Sequence, residues 1–406
     1  MMNSAAGVSA ERGTSMMRRF LIRLVAPVLI PLLSAGFCAN SAGRQERGGL
    51  DVQRGRDERI GARGAKTYYT KRWNLDDLPE YNPEQNVSGT IRLWGSGYFA
   101  QGNLGKYWEE GFHAYQPGIK FEYHLKAPAL GIPALCIGIA DIAPSRHITF
   151  DETLMFERVF SRDPIEITAV TGSLNVPGWN YAVGIFVNKD NPISKLTIKQ
   201  LDGIFGTERD GGYQGTTWHS EIARGANENL RTWGQLGLTG EWAGKPIHVY
   251  GDNLRYHIPR TFERLVFQGG DKWNEQLHEY ANYKNTDGIN TLEAQQVIDA
   301  ISKDPYGIGY STVAYLTPQT KALSIAPREG GTYVELNLET LRNRTYALFD
   351  EVYFYLDREP GKPVDAKVKE FLRFVLSREG QDAVQRDAKY LPLTGEVVRE
   401  QLKKLE

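Results

Sequence analysis

The chain contains 406 residues, 41% of them hydrophobic and 24% charged, which is enough to build two domains with real cores. Its 48 Lys and Arg nearly balance its 49 Asp and Glu, so it lacks both the basic surface expected of a nucleic-acid-binding protein and any bulk attraction for an anion. Any specificity for an anion must therefore arise from local geometry.

The N-terminus has the pattern of a secretory signal peptide over residues 1–41. Arginines at positions 18, 19 and 23 precede an apolar run over residues 24–37, and small residues follow. The run is too short for a permanent membrane span and contains two prolines. We therefore predict a periplasmic or otherwise extracytoplasmic protein. Lipid attachment at Cys38 is a less favoured alternative, because the bulky Phe37 stands immediately before it.

Residues 42–87 are predicted to form a flexible N-terminal tether. The stretch over residues 42–60 is rich in Gly, Arg, Asp and Gln, and it has too few aliphatic side chains to offset the entropy of ordering. Tyr68, Tyr69, Trp73 and Leu78 are expected to dock only loosely on the folded body, which is expected to begin near Ser88.

Short apolar runs alternate with helical patterns from residue 88 onwards, which predicts an α/β fold with a largely parallel sheet. Strands are predicted over residues 90–94, 119–125, 137–143, 165–170, 181–187, 247–250, 308–311, 323–326 and 346–356. Amphipathic helices are predicted from Leu104, behind the N-cap Thr197, and over residues 259–267, 291–301 and 364–376.

The sequence carries no familiar motif for catalysis or for a bound cofactor. Its seven histidines are scattered without an HxxxH or HExxH pair, and neither a P-loop nor a GxSxG motif occurs. Cys136 is the one cysteine left after the predicted signal peptide, so an internal disulfide or a CxxC metal site is not expected. We predict a protein that is not an enzyme and holds no cofactor or metal.

Two adjacent segments carry a resemblance to a known family. Residues 188–192 (NKDNP) at a strand end are followed by residues 196–205 (LTIKQLDGIF), and residues 232–236, 307–310 and 377–381 support the same match. In these segments the chain resembles the phosphate-binding branch of the type II periplasmic solute-binding proteins of ABC importers. The resemblance covers roughly residues 90–397, which is nearly all of the predicted folded part.

The resemblance implies two Rossmann-like lobes joined by a hinge of two crossings, near Ala182 and Ala347. Lobe I would comprise residues 88–182 and 347–406, and lobe II residues 183–346. Phosphate or a related oxyanion would bind between the lobes at helix N-termini, where backbone amides favour an anion. The implied protein is a monomeric receptor that delivers this ligand to the membrane permease of an ABC importer, with no nucleic-acid partner.

The resemblance also implies three anion-binding loops. The first comprises Ser96, Gly97, Tyr98 and Phe99, and the second comprises Ser145 and Arg146. Small residues let backbone N–H groups approach an oxyanion, and the serine hydroxyls add donors. The alternatives are a plain tight turn for the first loop, and an N-cap serine beside a solvated or ion-paired arginine for the second.

The third loop departs from the pattern of the family. The expected Ser-Gly-Thr run is absent, and Arg255, Tyr256 and His257 stand in its place. Arg255 would clamp the anion with two hydrogen bonds, assisted by Tyr256 or His257, or these residues belong to a surface turn and the ligand differs. The identity of the ligand therefore stays open. An interaction, scaffold or sensor protein that has lost phosphate binding is the rival hypothesis.

Overall fold

The computed structural model describes residues 68–97, 102–176, 180–284, 286, 288 and 290–406. The predicted signal peptide and the lipidation alternative at Cys38 lie outside these residues. Within the described part, no helix combines the length and the apolar character needed to cross a membrane.

The sixteen strands of the described residues are β1 Ser88–Trp94, β2 Gly118–His124, β3 Ala143–Ser145, β4 Ile165–Thr171, β5 Gly184–Asn188, β6 Lys195–Thr197, β7 Gly212–Gln214, β8 Thr217–His219, β9 His248–Asp252, β10 His278–Tyr280, β11 Tyr283–Lys284, β12 Asn290–Thr291, β13 Gly307–Ser311, β14 Thr320–Ala322, β15 Ser324–Ala326 and β16 Glu351–Leu356.

The ten α-helices of the same residues are α1 Leu104–His113, α2 Gly131–Cys136, α3 Phe150–Phe160, α4 Ile198–Phe205, α5 His257–Val266, α6 Glu293–Ile301, α7 Leu338–Arg342, α8 Ala366–Val375, α9 Arg378–Asp387 and α10 Gly395–Lys403.

The largest sheet has the strand order β10-β9-β13-β5-β14. Strands β9, β10 and β13 run parallel, and β5 runs antiparallel to both β13 and β14. A separate sheet places β16 between β3 and β4, antiparallel to both, while β1 and β2 form a parallel pair. The predicted α/β class is confirmed, with more antiparallel pairing than the largely parallel sheet that was expected.

Two large apolar clusters form the cores of the molecule. The first core contains side chains of β1, α1, β4, β16 and α8 to α10, among them Trp108, Phe354 and Leu372. The second core contains side chains of β5, α4, α5, β9 and β13, among them Phe262 and Tyr310. Helix α4 begins at the predicted N-cap, because the Thr197 side chain accepts from the Gln200 N–H in a capping box.

An N-terminal arm over residues 69–81 packs into the first core. Tyr69, Trp73, Leu78 and Tyr81 are all buried there. The Tyr69 hydroxyl accepts from the Leu174 N–H at 2.7 Å, and the Trp73 N–H donates to Gln385 Oε1 at 3.0 Å. The expectation of loose docking, with a folded body starting near Ser88, is therefore wrong. With Leu75, five aromatic or aliphatic side chains in thirteen residues bury enough apolar surface to order the arm.

Several predicted elements have different bounds in the structure. The strand predicted over residues 137–143 is reduced to β3, which begins only at Ala143, because the residues after the end of α2 at Cys136 form a turn in which Gly138 takes a positive φ of 72°. The strand predicted over residues 346–356 begins at Glu351, since the preceding segment makes a turn with Arg344 at a φ of 61°. Helix α5 starts two residues before its predicted position.

Substituting Leu78 by Ala tests whether the arm belongs to the core. Leu78 is 2% exposed, so we expect Leu78→Ala to lower the free energy of unfolding by about 2–5 kcal/mol in urea titrations of the whole protein. Leu316→Ala is the matched control, because Leu316 is 46% exposed and its truncation should cost less than about 0.5 kcal/mol. Equal effects of the two substitutions would contradict a packed arm.

Candidate anion site

The first predicted loop follows β1 and lies against the second. The Ser96 N–H donates to the Pro144 carbonyl at 2.7 Å, and Ser96 is fully buried. Gly95 has a φ of 145°, and a Cβ there would stand 2.3 Å from the Pro144 oxygen, so only glycine allows this approach. The structure thus brings Ser96 and Gly97 beside the Ser145 loop. Tyr98 and Phe99 lie outside the described residues.

In the second predicted loop, the serine hydroxyl is unpaired, whereas the arginine is paired with a glutamate. Ser145 ends β3 opposite Tyr353 of β16, is 1% exposed, and its Oγ has no hydrogen-bond partner among the described residues. Arg146 instead forms an ion pair of 2.8 Å with Glu152, which also closes the capping box of α3. An unpaired buried hydroxyl is costly, so Ser145 is a candidate ligand donor.

The residues of the third predicted loop separate at the start of α5. Arg255 is exposed, and its guanidinium makes no ion pair within the described residues. The Tyr256 hydroxyl accepts from the Asn282 N–H at 3.1 Å. His257 is the first residue of α5, and its Nε2 lies 2.7 Å from Oδ2 of Asp350. Of the three site residues predicted in the third loop, His257 is therefore the one that contacts a buried residue.

Asp350 and Arg264 extend the surroundings of His257. Asp350 is completely buried one residue before β16, and its Oδ1 accepts from the Glu351 N–H at 2.9 Å. Arg264 stands two helical turns beyond His257 on α5, with its Nη2 3.8 Å from Asp350 Oδ1. The Nε and Nη2 of Arg264 and the Nδ1 of His257 are buried without a hydrogen-bond partner in the described part of the chain.

Electrostatics connect this group to the Ser145 loop. Burial raises the pKa of Asp350, but the charge and hydrogen bond of His257, together with Arg264, hold that pKa below its ordinary value. Burial, and then the charge of Arg264, lowers the pKa of His147, two residues beyond Ser145. The His147 ring in turn lies 6.0 Å from the ring of Tyr353, centre to centre. Arg264 and Asp350 are thus near neighbours of the second loop.

A second set of buried polar groups lies beside the first. The Asn180 side chain donates to the Glu351 carbonyl at 2.8 Å, next to Asp350, and its Oδ1 has no partner among the described residues. The adjacent Tyr181 hydroxyl and both carboxyl oxygens of Asp252 are likewise buried and unpaired there. Burial, and then the charge of Glu293, raises the pKa of Asp252 well above its usual range.

We call this set of residues the crossing cluster. Some of its members lie on the two segments that run between the cores, and the others lie on β3, β9 and α5. Its members are Ser145, Asn180, Tyr181, Asp252, His257, Arg264 and Asp350. Together they offer a guanidinium, a histidine nitrogen, hydroxyls and a carboxyl whose pKa is raised by burial. Such groups suit an oxyanion that carries a proton, because they supply donors together with an acceptor.

Sequence reasoning missed Arg264, Asp350, Asp252 and Tyr181. One signal was available, since His257, Thr261 and Arg264 recur at positions i, i+4 and i+7 of a helix and therefore share a face. The hydroxyl of Thr261 indeed lies 3.4 Å from Asp350 Oδ2. Asp350 gave no local signal, because its importance comes from contacts with residues about 90 positions away.

Two cores joined by crossings that carry unpaired polar groups define a two-lobed α/β solute-binding protein. A family model described as a PBP superfamily domain matches residues 82–379, and the chain belongs to this family of periplasmic binding proteins. Among the described residues, no group of three or more His, Cys, Asp or Glu side chains is arranged to hold a metal ion.

The chain is also similar to individual proteins. The chain is 32% identical over 329 residues to the "Phosphate-binding protein PstS" of Pseudomonas aeruginosa, covering 81% of this chain and 90% of that protein. It is 25% identical over 218 residues to "Protein SphX" of Synechococcus elongatus, covering 52% of this chain and 53% of that protein. The crystal structure of PstS from Borrelia burgdorferi covers 76% of this chain and all of its own at 17% identity, with a TM-score of 0.47.

Replacing Asp350 by Asn tests the buried charge cluster. The substitution leaves Arg264 without its carboxylate, so we expect Asp350→Asn to cost about 3–5 kcal/mol of unfolding free energy at pH 7. The pKa of Asp350 is lower in the folded than in the unfolded protein. Its contribution is therefore complete above about pH 4 and is lost as the pH falls through the folded value.

Urea unfolding of both proteins between pH 3 and pH 7 measures this dependence, and the difference between them should shrink below about pH 4. Asp382→Asn is the control, since Asp382 and its partner Arg386 are each half exposed and should contribute less than about 1 kcal/mol. A difference that stays constant across this pH range would contradict an ionised Asp350.

Proposed function

We propose that the protein is an extracytoplasmic receptor of an ABC importer that binds phosphate or a related oxyanion between its two lobes. The observation that carries this proposal is the set of buried, unpaired polar atoms on Ser145, His257 and Arg264. A polar group shielded from water without a partner costs free energy, and an oxyanion would satisfy several such groups at once. The name of the Pseudomonas aeruginosa relative supports phosphate as the first ligand to test.

We propose lobe boundaries close to those expected from the sequence. Lobe I comprises residues 88–182 and 347–406, preceded by the packed arm, and lobe II comprises residues 183–346. The change from the first to the second core near residues 181–183 supports the first crossing. The hydrogen bond from the Val183 N–H to the Leu348 carbonyl, at 2.8 Å, supports a hinge in which the two crossings lie side by side.

Each group of the proposed site has a distinct role. The guanidinium of Arg264 provides the positive charge, and the Ser145 hydroxyl and His257 Nδ1 provide donors from opposite lobes. The Ser96 N–H is already bonded to the Pro144 carbonyl, so the next backbone amide of that loop, at Gly97, completes the lobe I side. Asp350 orients His257 and partly neutralises Arg264.

Of the three arginines considered, Arg264 has the surroundings that fit an anion clamp. Arg146 is held by Glu152, and Arg255 is exposed at the turn before α5. A charge-assisted hydrogen bond gains most where water is excluded, which favours the partly buried Arg264 over the exposed Arg255. In this assignment Arg264, two turns into α5, takes the role that the missing Ser-Gly-Thr loop at the start of that helix has in the family.

Isothermal titration calorimetry of the mature protein with inorganic phosphate tests the proposal. We expect saturable binding by the wild type, weakened roughly 10- to 150-fold by Arg264→Ala and roughly tenfold by Ser145→Ala, because each removes a hydrogen bond to a charged ligand. Arg255→Ala is the matched control and should change the dissociation constant less than about twofold, as expected for an exposed charge.

Two outcomes would contradict parts of this proposal. If Arg255→Ala abolishes binding and Arg264→Ala does not, the third loop and not the crossing cluster holds the anion. If the wild type binds neither phosphate, arsenate nor sulfate, the receptor function is wrong, and an interaction or sensor role for this fold becomes the better hypothesis.

A further inference from the structure

A hairpin near the middle of the chain contacts a helix that begins beside the proposed anion site. The hairpin consists of β7 and β8, and the helix is α3. The rings of Tyr213 and Phe150 lie 4.8 Å apart, centre to centre, and the Thr216 hydroxyl donates to Glu157 Oε1 at 2.6 Å. In the proposed division the hairpin belongs to lobe II and α3 to lobe I, so both contacts join the two lobes away from the hinge.

The hairpin is fixed firmly to its own lobe. The Tyr213 N–H donates to the Gly269 carbonyl at 3.0 Å, in the turn just after α5. Gly269 has a φ of 91°, and a Cβ there would stand 1.9 Å from the Tyr213 oxygen, so the hairpin and this turn pack backbone against backbone. Trp218 supports Tyr213 from the neighbouring strand with ring centres 5.0 Å apart. The hairpin therefore moves together with α5, which carries His257 and Arg264.

Helix α3 is joined just as directly to the site on the other lobe. Phe150 is its first residue, and the capping box of Thr149 and Glu152 fixes its start. The same Glu152 holds Arg146, the residue that follows Ser145. A contact between the hairpin and α3 therefore fixes the distance between the lobe I and lobe II parts of the anion site.

We infer that Tyr213 and Thr216, with Phe150 and Glu157, form a latch that holds the lobes closed and retains the bound anion. These are positioning residues, since they act on the ligand through the lobes that carry its donors. The two aromatic rings remain 40% and 46% exposed, so the contact can separate without opening a buried core. Each contact is modest, worth roughly a 2- to 10-fold factor in the closing equilibrium, which suits a latch that must also release.

The latch rests on the proposed function only for its effect on the ligand, and the rate of phosphate release measures that effect. In stopped-flow experiments on the mature protein, we expect Tyr213→Ala and Thr216→Val each to raise the dissociation rate constant of phosphate roughly 2- to 10-fold. The association rate constant should change less than about twofold, because the latch forms after the anion enters.

A double-mutant cycle isolates the contact itself. Glu157→Ala, which removes the acceptor, should raise the dissociation rate constant as Thr216→Val does, and the double variant should add little to either change. Tyr283→Ala and Glu109→Ala are matched controls, since Tyr283 is an exposed tyrosine of the same lobe and Glu109 pairs with Tyr123 inside lobe I. Additive effects in the cycle, or equal effects of the controls, would overturn the latch.

Lobe distance without ligand tests the latch independently of anion binding. Spin labels at Lys106→Cys and Lys199→Cys, two exposed positions on α1 and α4, report this distance in a Cys136→Ser background. Tyr213→Ala should broaden and lengthen the distance distribution relative to the background protein. An unchanged distribution would overturn the latch even if phosphate binds, and a changed one would support it even if the wild type binds no phosphate.

Discussion

A single buried carboxylate organises the region between the cores. Asp350 has no exposed surface, yet it stays ionised because His257 and Arg264 reach it from α5 and the Glu351 amide donates to it. Removing a carboxylate from water is expensive, and the cost is recovered only when charged and hydrogen-bonding partners surround it. The contacts of Asp350 therefore hold the start of α5 against the crossing segment, and they orient His257 and Arg264 on that helix.

This arrangement separates two electrostatic tasks within a small volume. At the Asp350 side, opposite charges are paired and one guanidinium keeps unpaired hydrogen-bond donors. At the Asp252 side, burial and a neighbouring acid raise the pKa of a carboxyl well above its usual range. In the proposed function the first side contributes positive charge towards the anion, and the raised pKa of Asp252 weakens the repulsion from the second side. A nearly neutral protein can hold an anion by such local means, which agrees with its balanced composition.

The sequence predicted the fold class and several elements because their signals are local. The Thr197 capping box, the apolar stripe of α4 and the buried strand β16 each depend on neighbours within a few residues. The arm over residues 69–81 was misjudged, because its partners, such as Gln385, lie some 300 positions away. Arg264 and Asp350 were missed for the same reason: a charge acquires its role from long-range contacts that no short pattern records.

The packed arm has a consequence for the order in which the protein folds. Its backbone donates to the carbonyl of Ala388, and its side chains fill a core closed by the last three helices. The apolar surface of the arm therefore stays uncovered until nearly the last residues of the chain are available to pack against it. A chain that emerges N-terminus first carries this exposed hydrophobic segment until synthesis is almost complete, and contacts of such long sequence separation form slowly. The exposed apolar arm is therefore a segment that a holdase chaperone would bind during synthesis.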